Sequence, residues 1–400
     1  MLGAVGADEI ATLWSSRAGR VLVASVGAIL LATVIGLAVF WPAASKSDPA
    51  TATLAATVTS VRDEPCPSFG DDQAPQTCRS IVVDPAGSAA PASIDLGPAE
   101  GGLDVERGDR VRISPIPEVE GVPEAATAAP YSLVGLDRTR PLTIAALLLA
   151  VLAVVALRLR GLLALAGVGL SLLLLAAFLV PAILAGSPPI LVALIGALAV
   201  MFVTVVLTNG IGAQALAGAL GISLTLVFTT LVGLAAVRFT GLDGSGSELS
   251  IVLAQATSGV SLEGVLLAGM VIGGLGVLAD TAVTQASAVM ALRHAAPAST
   301  ARDLYRRAVI VGRDHLSATI HTLVLAYAGA TLPLLLVLNA GGTSPADTLN
   351  TTDIAEPILA TIIGCAGLIV AVPLSTALAA LLVARIPVDR LPEAEHGHHH

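Results

Sequence analysis

Eight apolar runs divide this chain, and polar stretches of very different length separate them. The runs lie near residues 21–41, 141–157, 162–184, 190–207, 212–238, 260–292, 316–340 and 355–384. Each is close to the ~20 residues that a helix needs to cross the hydrocarbon of a bilayer. The pattern predicts an all-α polytopic membrane bundle of about eight transmembrane helices. Pro181, Pro333 and Pro373 fall inside runs. Kinks are expected there, with neighbouring helices or water satisfying the freed carbonyls.

Residues 42–140 are patterned differently. Short β-type runs, "TATLAATVTSV", "CRSIVV", "ASIDL" and "GDRVRIS", are separated by turn-forming residues. That spacing predicts a small all-β domain. Arg107-Gly108-Asp109 reads as the turn into the last of these strands rather than as an adhesion motif. "EVEGVPEAATAAP" reads as a loop. The expected organisation is a cytoplasmic N-terminus (1–20), an anchor (21–41), an extracytoplasmic domain (42–140), a seven-helix domain (141–385) and a cytoplasmic tail (386–400). Within the seven-helix domain, the Arg-rich segment 293–315 is expected to lie on the cytoplasmic surface as an amphipathic helix. The first run is long for a signal peptide, so a retained anchor is the reading; cleavage near "WPAAS" is the alternative.

Composition strengthens the membrane assignment. The chain is 55% hydrophobic and 12% charged, against roughly 25% charged in soluble domains. The net charge is −9, and residues 42–139 hold 15 acids against 7 bases, or −8 of it. No basic run is present, which excludes nucleic acid as a partner. Arg17 and Arg20, Arg158 and Arg160, the five arginines from Arg293 to Arg313, and Arg385 and Arg390 all fall on one side of the alternating spans. Basic loops stay inside, so both termini are expected in the cytoplasm of a cell-membrane protein. The acidic domain then lies outside. Cys66 and Cys78 belong to that domain. A bridge between them would close a short loop worth ~3 kcal/mol and needs an oxidising compartment; two free thiols are the alternative.

The candidate chemistry sits in the sixth run. At 3.6 residues per turn, Gly273, Gly276, Asp280, Thr284, Ser287 and Ala291 share one stripe. Small residues, such as Gly269-x-x-x-Gly273, let a second helix come close. A carboxylate at that depth commonly marks a proton or ion path. Thr284, one turn on, is a hydrogen-bond partner for Asp280, and Gln285 is expected near the rim. The structural alternative is a hydrogen-bonded acid close to the headgroups. The seventh run supplies His315, Thr319, His321 and Thr322. An imidazole titrates near neutral pH, which makes Asp280–His321 a chemically reasonable relay; a snorkelling His321 is the alternative, and His315 is read as interfacial. Asn209 and Gln214 flank an uncharged turn, "LTNGIGAQ", as cavity candidates or as polar turn residues. H-E-x-x-H, the P-loop and G-x-S-x-G are absent, so no enzyme, cofactor or metal site is expected. The terminal "HGHHH" is a metal-binding tail or a purification-tag remnant.

"SLEGVLLAGMVIGGLGVLADTAVTQAS", "LYRRAVIVGRDH", "TLVLAYAGATLPLLL" and "GLIVAVPLSTALAALL" resemble the YibE/YibF family of bacterial membrane proteins, most closely its actinobacterial branch. The resemblance covers about Tyr131 to Val383. It implies an anchor, a small extracytoplasmic domain and a helical bundle, and no defined activity. The chain departs at Ala279, where relatives often carry a second acid, and at His321, where they tend to have Asn. "GVLADTAV" is also similar to a motif of SecD/SecF and other proton-driven permeases, and that similarity implies a coupling role for Asp280. The expectation is a permease-like, proton-coupled transporter of an unidentified small solute or ion. The alternative is a non-transporting scaffold or assembly factor acting through residues 42–140. Expected partners are the lipid bilayer and a membrane protein or second copy of the chain.

Overall fold

The computed structural model describes residues 14, 17–42, 53–66, 77–86, 91–98, 104–116, 131–246, 250, 252–253 and 259–387. The loop expected at 118–130, most of the N-terminal segment 1–20 and the His-rich end lie outside these. The chain divides into two units, residues 44–153 and residues 1–43 with 154–400.

The smaller unit is a five-stranded antiparallel sheet. Its strands are β1 (Leu54–Pro65), β2 (Thr77–Pro85), β3 (Ala92–Pro98), β4 (Arg110–Pro115) and β5 (Tyr131–Leu136), in spatial order β3-β2-β1-β4-β5. β3 also touches β5, so the sheet curls into a half-barrel. Alternation drives the curl: Ala56, Val58, Ile81, Val83, Ile94, Val111 and Ile113 all point inward and are buried. The β1–β2 register slips between Val58 and Ser60, and beyond the slip Val61 takes the inward position. The four strands expected from sequence are present, and β5 is an addition. Arg107 and Gly108 form the turn into β4, with φ +98° at Gly108 and the Glu106 N–H donating to Asp109 Oδ2 at 2.8 Å. A positive φ of that size suits glycine. Cys66 and Cys78 form a disulfide that ties the end of β1 to the start of β2. α1 (Arg17–Phe40) precedes the sheet in the chain, and α2 (Thr139–Leu157) follows β5.

The larger unit is helical. After α1 it comprises α3 (Leu159–Leu174), a π-helical turn (Leu175–Leu179), α4 (Val180–Leu184), α5 (Pro189–Asn209), α6 (Ala213–Thr240), α7 (Leu262–Ala295), α8 (Ala301–Ala340), α9 (Pro345–Asn350) and α10 (Thr352–Val383). Among the described residues, eight spans are long and apolar enough to cross a bilayer, and the chain is a multi-pass membrane protein. The π turn lies just before Pro181, which has no N–H for the preceding turn, and the Val180 N–H reaches back five residues to the Leu175 carbonyl.

α5, α6, α7 and α10 form the core, and α7 packs on α5, α6, α8 and α10. Backbones meet where side chains are small. A Cβ on Gly221 would stand 2.9 Å from Ser375 Cβ, and one on Gly367 2.6 Å from Thr229 Oγ1. Ser261 caps α7 by accepting from the Gly264 N–H, while Arg293 and His294 complement the dipole in its last turn.

The Arg-rich segment corrects an expectation. Residues 293–295 finish α7, and α8 starts at Ala301 in a capping box of Thr300 and Asp303. From there one helix of 40 residues runs to Ala340. No separate surface helix forms, because no proline or strong breaker lies between Arg302 and Leu316. The only glycine there, Gly312, is used for packing: a Cβ would lie 2.6 Å from both Gln285 Oε1 and Val372 Cγ1.

Candidate functional site

α7 carries two opposite faces, and the polar stripe read from sequence is the outer one. Gly269, Gly273, Gly276, Asp280, Ser287 and Ala291 are exposed, with Thr284 half-buried. The other face, Leu278, Thr281, Ala282, Gln285, Ala286 and Val289, is buried in the core. The stripe does not serve as the close-packed seam its glycines suggest. A Cβ at Gly269 or Gly276 would meet nothing within 4 Å, and at Gly273 only the Tyr327 hydroxyl at 3.1 Å. Small residues also suit an open groove, and here they line one.

That groove is a cavity of about 560 Å³. α5 packs against both α3 and α7, and the three helices enclose the space. α3 contributes Gly167, Val168 and Ser171, α5 contributes Met201 and Thr204, and α7 contributes Ile272, Gly276 and Asp280. The Ser171 hydroxyl donates to the Gly167 carbonyl at 2.8 Å. Its volume falls in the ordinary range for small-molecule sites.

Asp280 stands at the edge of this cavity with 67% of its side chain exposed. Its ionic partner is His315 on α8, with Nε2 3.6 Å from Oδ2. The expected partner, His321, is exposed and bonded through Nδ1 to the Ser317 carbonyl at 2.7 Å. The physical reason is rotation. Six residues at ~100° each place His321 about a third of a turn away from His315 on the same helix. The His315 side chain is 34% exposed, and among the described residues its buried Nε2 makes no hydrogen bond. Thr322 is exposed and donates to the Ala318 carbonyl at 3.1 Å. No hydrogen bond joins Thr284 to Asp280 among the described residues.

The remaining candidates divide. Gln214, in the first turn of α6, donates through Nε2 to Ser287 Oγ at 2.6 Å and so clamps α6 to α7 near the end of the stripe. Gly276 lines the cavity, while Gly273 sits beneath Tyr327. The Asn209 side chain lies outside the described residues; its backbone ends α5.

Sequence reading missed a polar cluster on the inner side of α7. Gln285 is fully buried rather than at the rim, and its Oε1 lies 2.9 Å from the Thr376 hydroxyl of α10. Thr281, Ser375 and Thr376 are likewise fully buried. Among the described residues, Thr281 Oγ1 and Gln285 Nε2 make no hydrogen bond. Burying such a group unpaired costs about 1–3 kcal/mol, so the cluster is an unusual thing to keep in an apolar core. Periodicity held the signal: Thr281 and Gln285 fall among Leu278, Ala282, Ala286 and Val289, the apolar side of the helix. α7 therefore carries two polar pairs on opposite faces, Asp280 with His315 of α8 on the open side and Gln285 with Thr376 of α10 in the core.

Residues 145–385 match the family model described as YibE/F-like protein. No curated protein matches the chain, and no solved structure does.

Proposed function

We propose, from the premise that the chain belongs to the YibE/F-like family, that it is a permease-like protein whose transport is coupled to protons through Asp280 and His315. One observation carries the reading: a carboxylate inside an apolar helix lies 3.6 Å from an imidazole of the next helix, at the edge of a cavity. An acid held in a membrane segment costs several kcal/mol unless it is paired or solvated, and a structural role would be met more cheaply by a neutral residue. A proton on either group alters their attraction, and α7 and α8 are the two helices that respond. No enzymatic activity is assigned to the chain in this reading.

We place residues 42–140 outside the cytoplasmic membrane and both termini inside. The arginine distribution supports that orientation, and the Cys66–Cys78 disulfide fits an oxidising compartment.

The test is proton movement in liposomes holding the full chain and a trapped pH-sensitive dye. With the family's solute unidentified, small-solute mixtures are added outside. Wild type moves protons in response; Asp280→Asn moves few or none, and His315→Gln reduces the response. Unchanged movement in Asp280→Asn sinks the coupling role. The competing reading is a scaffold working through the half-barrel. It predicts that deleting residues 42–140 abolishes the cellular phenotype while Asp280→Asn leaves it intact.

A further inference from the structure

We infer that the groove between α3, α5 and α7 binds a lipophilic organic cation, held by its apolar body in the groove and by its charge at Asp280. This rests on the reading above in that it names the cargo class of the same site.

Three observations point to that chemistry. The lining is overwhelmingly hydrocarbon: Val168, Leu172 and Leu175 on one side, Val200, Met201 and Val205 from α5. Among the described residues its only charged lining group is Asp280, and none is basic. An anion therefore finds no partner on these walls beyond two hydroxyls, Ser171 and Thr204, and an inorganic cation finds Asp280 but little else to replace its water shell. An apolar body with one delocalised positive charge matches both features, because its hydration is weak and its desolvation correspondingly cheap.

Space and charge are both left available. Gly276 has nothing within 4 Å of where a Cβ would stand, so the groove is open beside the acid. A volume of about 560 Å³ accommodates a body of several fused or linked rings. His315 carries a positive charge only when protonated. With the imidazole neutral, the Asp280 charge is free for a ligand. The groove also opens on the surface of the helical unit rather than in its centre, since Asp280 and Gly276 are exposed in the chain. A cation already partitioned into a bilayer reaches such a site from the side.

The probe is tetraphenylphosphonium, with tetraphenylborate as its near-isosteric anion. Saturable binding of each to the purified full chain is measured at equilibrium, at one pH and without any gradient. Wild type binds the cation and not the anion. Asp280→Asn binds the cation about tenfold more weakly, and Asp280→Glu, which keeps the charge, retains most of the affinity. Gly276→Leu fills the groove and weakens binding by a similar factor, with the thermal unfolding midpoint unchanged. Equal binding of cation and anion, or undiminished cation binding by both Asp280→Asn and Gly276→Leu, overturns the proposal. Because no proton gradient is involved, cation binding without proton movement overturns the coupling reading alone. Asp280-dependent proton movement without cation binding overturns the ligand assignment alone.

Discussion

Gly312 and Gly276 show how differently two glycines serve neighbouring helices. At Gly312, any side chain collides with Gln285 and Val372, both within 2.6 Å of a Cβ. At Gly276, a side chain meets open space. Gly312→Val is expected to destabilise the bundle by about 1–3 kcal/mol through overpacking, whereas Gly276→Val costs little because nothing must move. Thermal unfolding of the two variants in the same detergent checks the contrast; equal midpoints would show that α8 does not pack on Gln285 as described. The residue scale is also where sequence reading ended. Helical spacing groups Gly273, Gly276, Asp280 and Ser287 on one side of α7, and the structure agrees. What that side meets depends on the rotation of α7 about its axis, which spacing does not encode. The stripe is consequently the open face, and His315 takes the place expected of His321.

Elements were more legible than their contacts. The eight spans stand out because each carries enough apolar length, and β1 to β4 because their inward residues alternate. β5 (Tyr131–Leu136) escaped because it is six residues long and stands directly before a span, where alternation is too short to register. The arginines of 293–315 suggest a surface helix, but the capping box at Thr300 and Asp303 marks the start of the long α8. Pairing between elements has measurable consequences in the half-barrel. Arg79 on β2 donates to Asp63 on β1 from Nε at 2.9 Å and from Nη2 at 3.3 Å. That hydrogen bond, aided by the guanidinium charge, holds the Asp63 carboxyl below its ordinary range. The Thr139 side chain and N–H do the same for Asp137. A carboxyl whose pKa is lower folded than unfolded adds stability that is complete above the unfolded value of ~3.9 and is lost as pH falls through the folded one. Unfolding of the half-barrel should therefore be pH-independent from these groups near neutrality and ease below about pH 4. The effect is modest for Asp63, whose side chain is 46% exposed. Arg79→Ala should flatten part of that acid slope; limited proteolysis across pH measures it, and an identical slope removes Asp63 from the account.

At the scale of the whole molecule, burial is uneven. About half of α6 and α10 is buried inside the protein, but only 6% of the most apolar window of α8 and none of that of α2. α8, so little of it buried, depends on lipid to cover it. α8 is ~60 Å long at 1.5 Å per residue, twice the hydrocarbon thickness of a bilayer, so its Arg-bearing turns extend past the membrane. The proposed orientation is open to a direct check with the cysteines. Cys66→Ser leaves Cys78 unpaired at the start of β2. An impermeant maleimide added to intact cells is expected to label that variant and leave the disulfide-bonded wild type unlabelled. Labelling of Cys78 only after the cells are opened would invert the topology.

The π turn at Leu175–Leu179 joins two halves of one helix that face different ways. Ahead of it, Val168, Ser171 and Leu172 look into the groove. Beyond it, Ala182 and Ile183 are buried with Phe178, whose ring lies 5.8 Å from that of Trp41, the residue just after the N-terminal span. An extra residue in an α-helix would advance everything after it by about 100°, and the wider π turn takes it up instead. The wall of the groove and the contact with Trp41 thereby keep their relative phase across the additional residue. Deleting one residue from this turn would close it as an ordinary α turn: Val180 would stand four residues after Leu175 instead of five, and each half would keep the face it now presents, one to the groove and one to the protein.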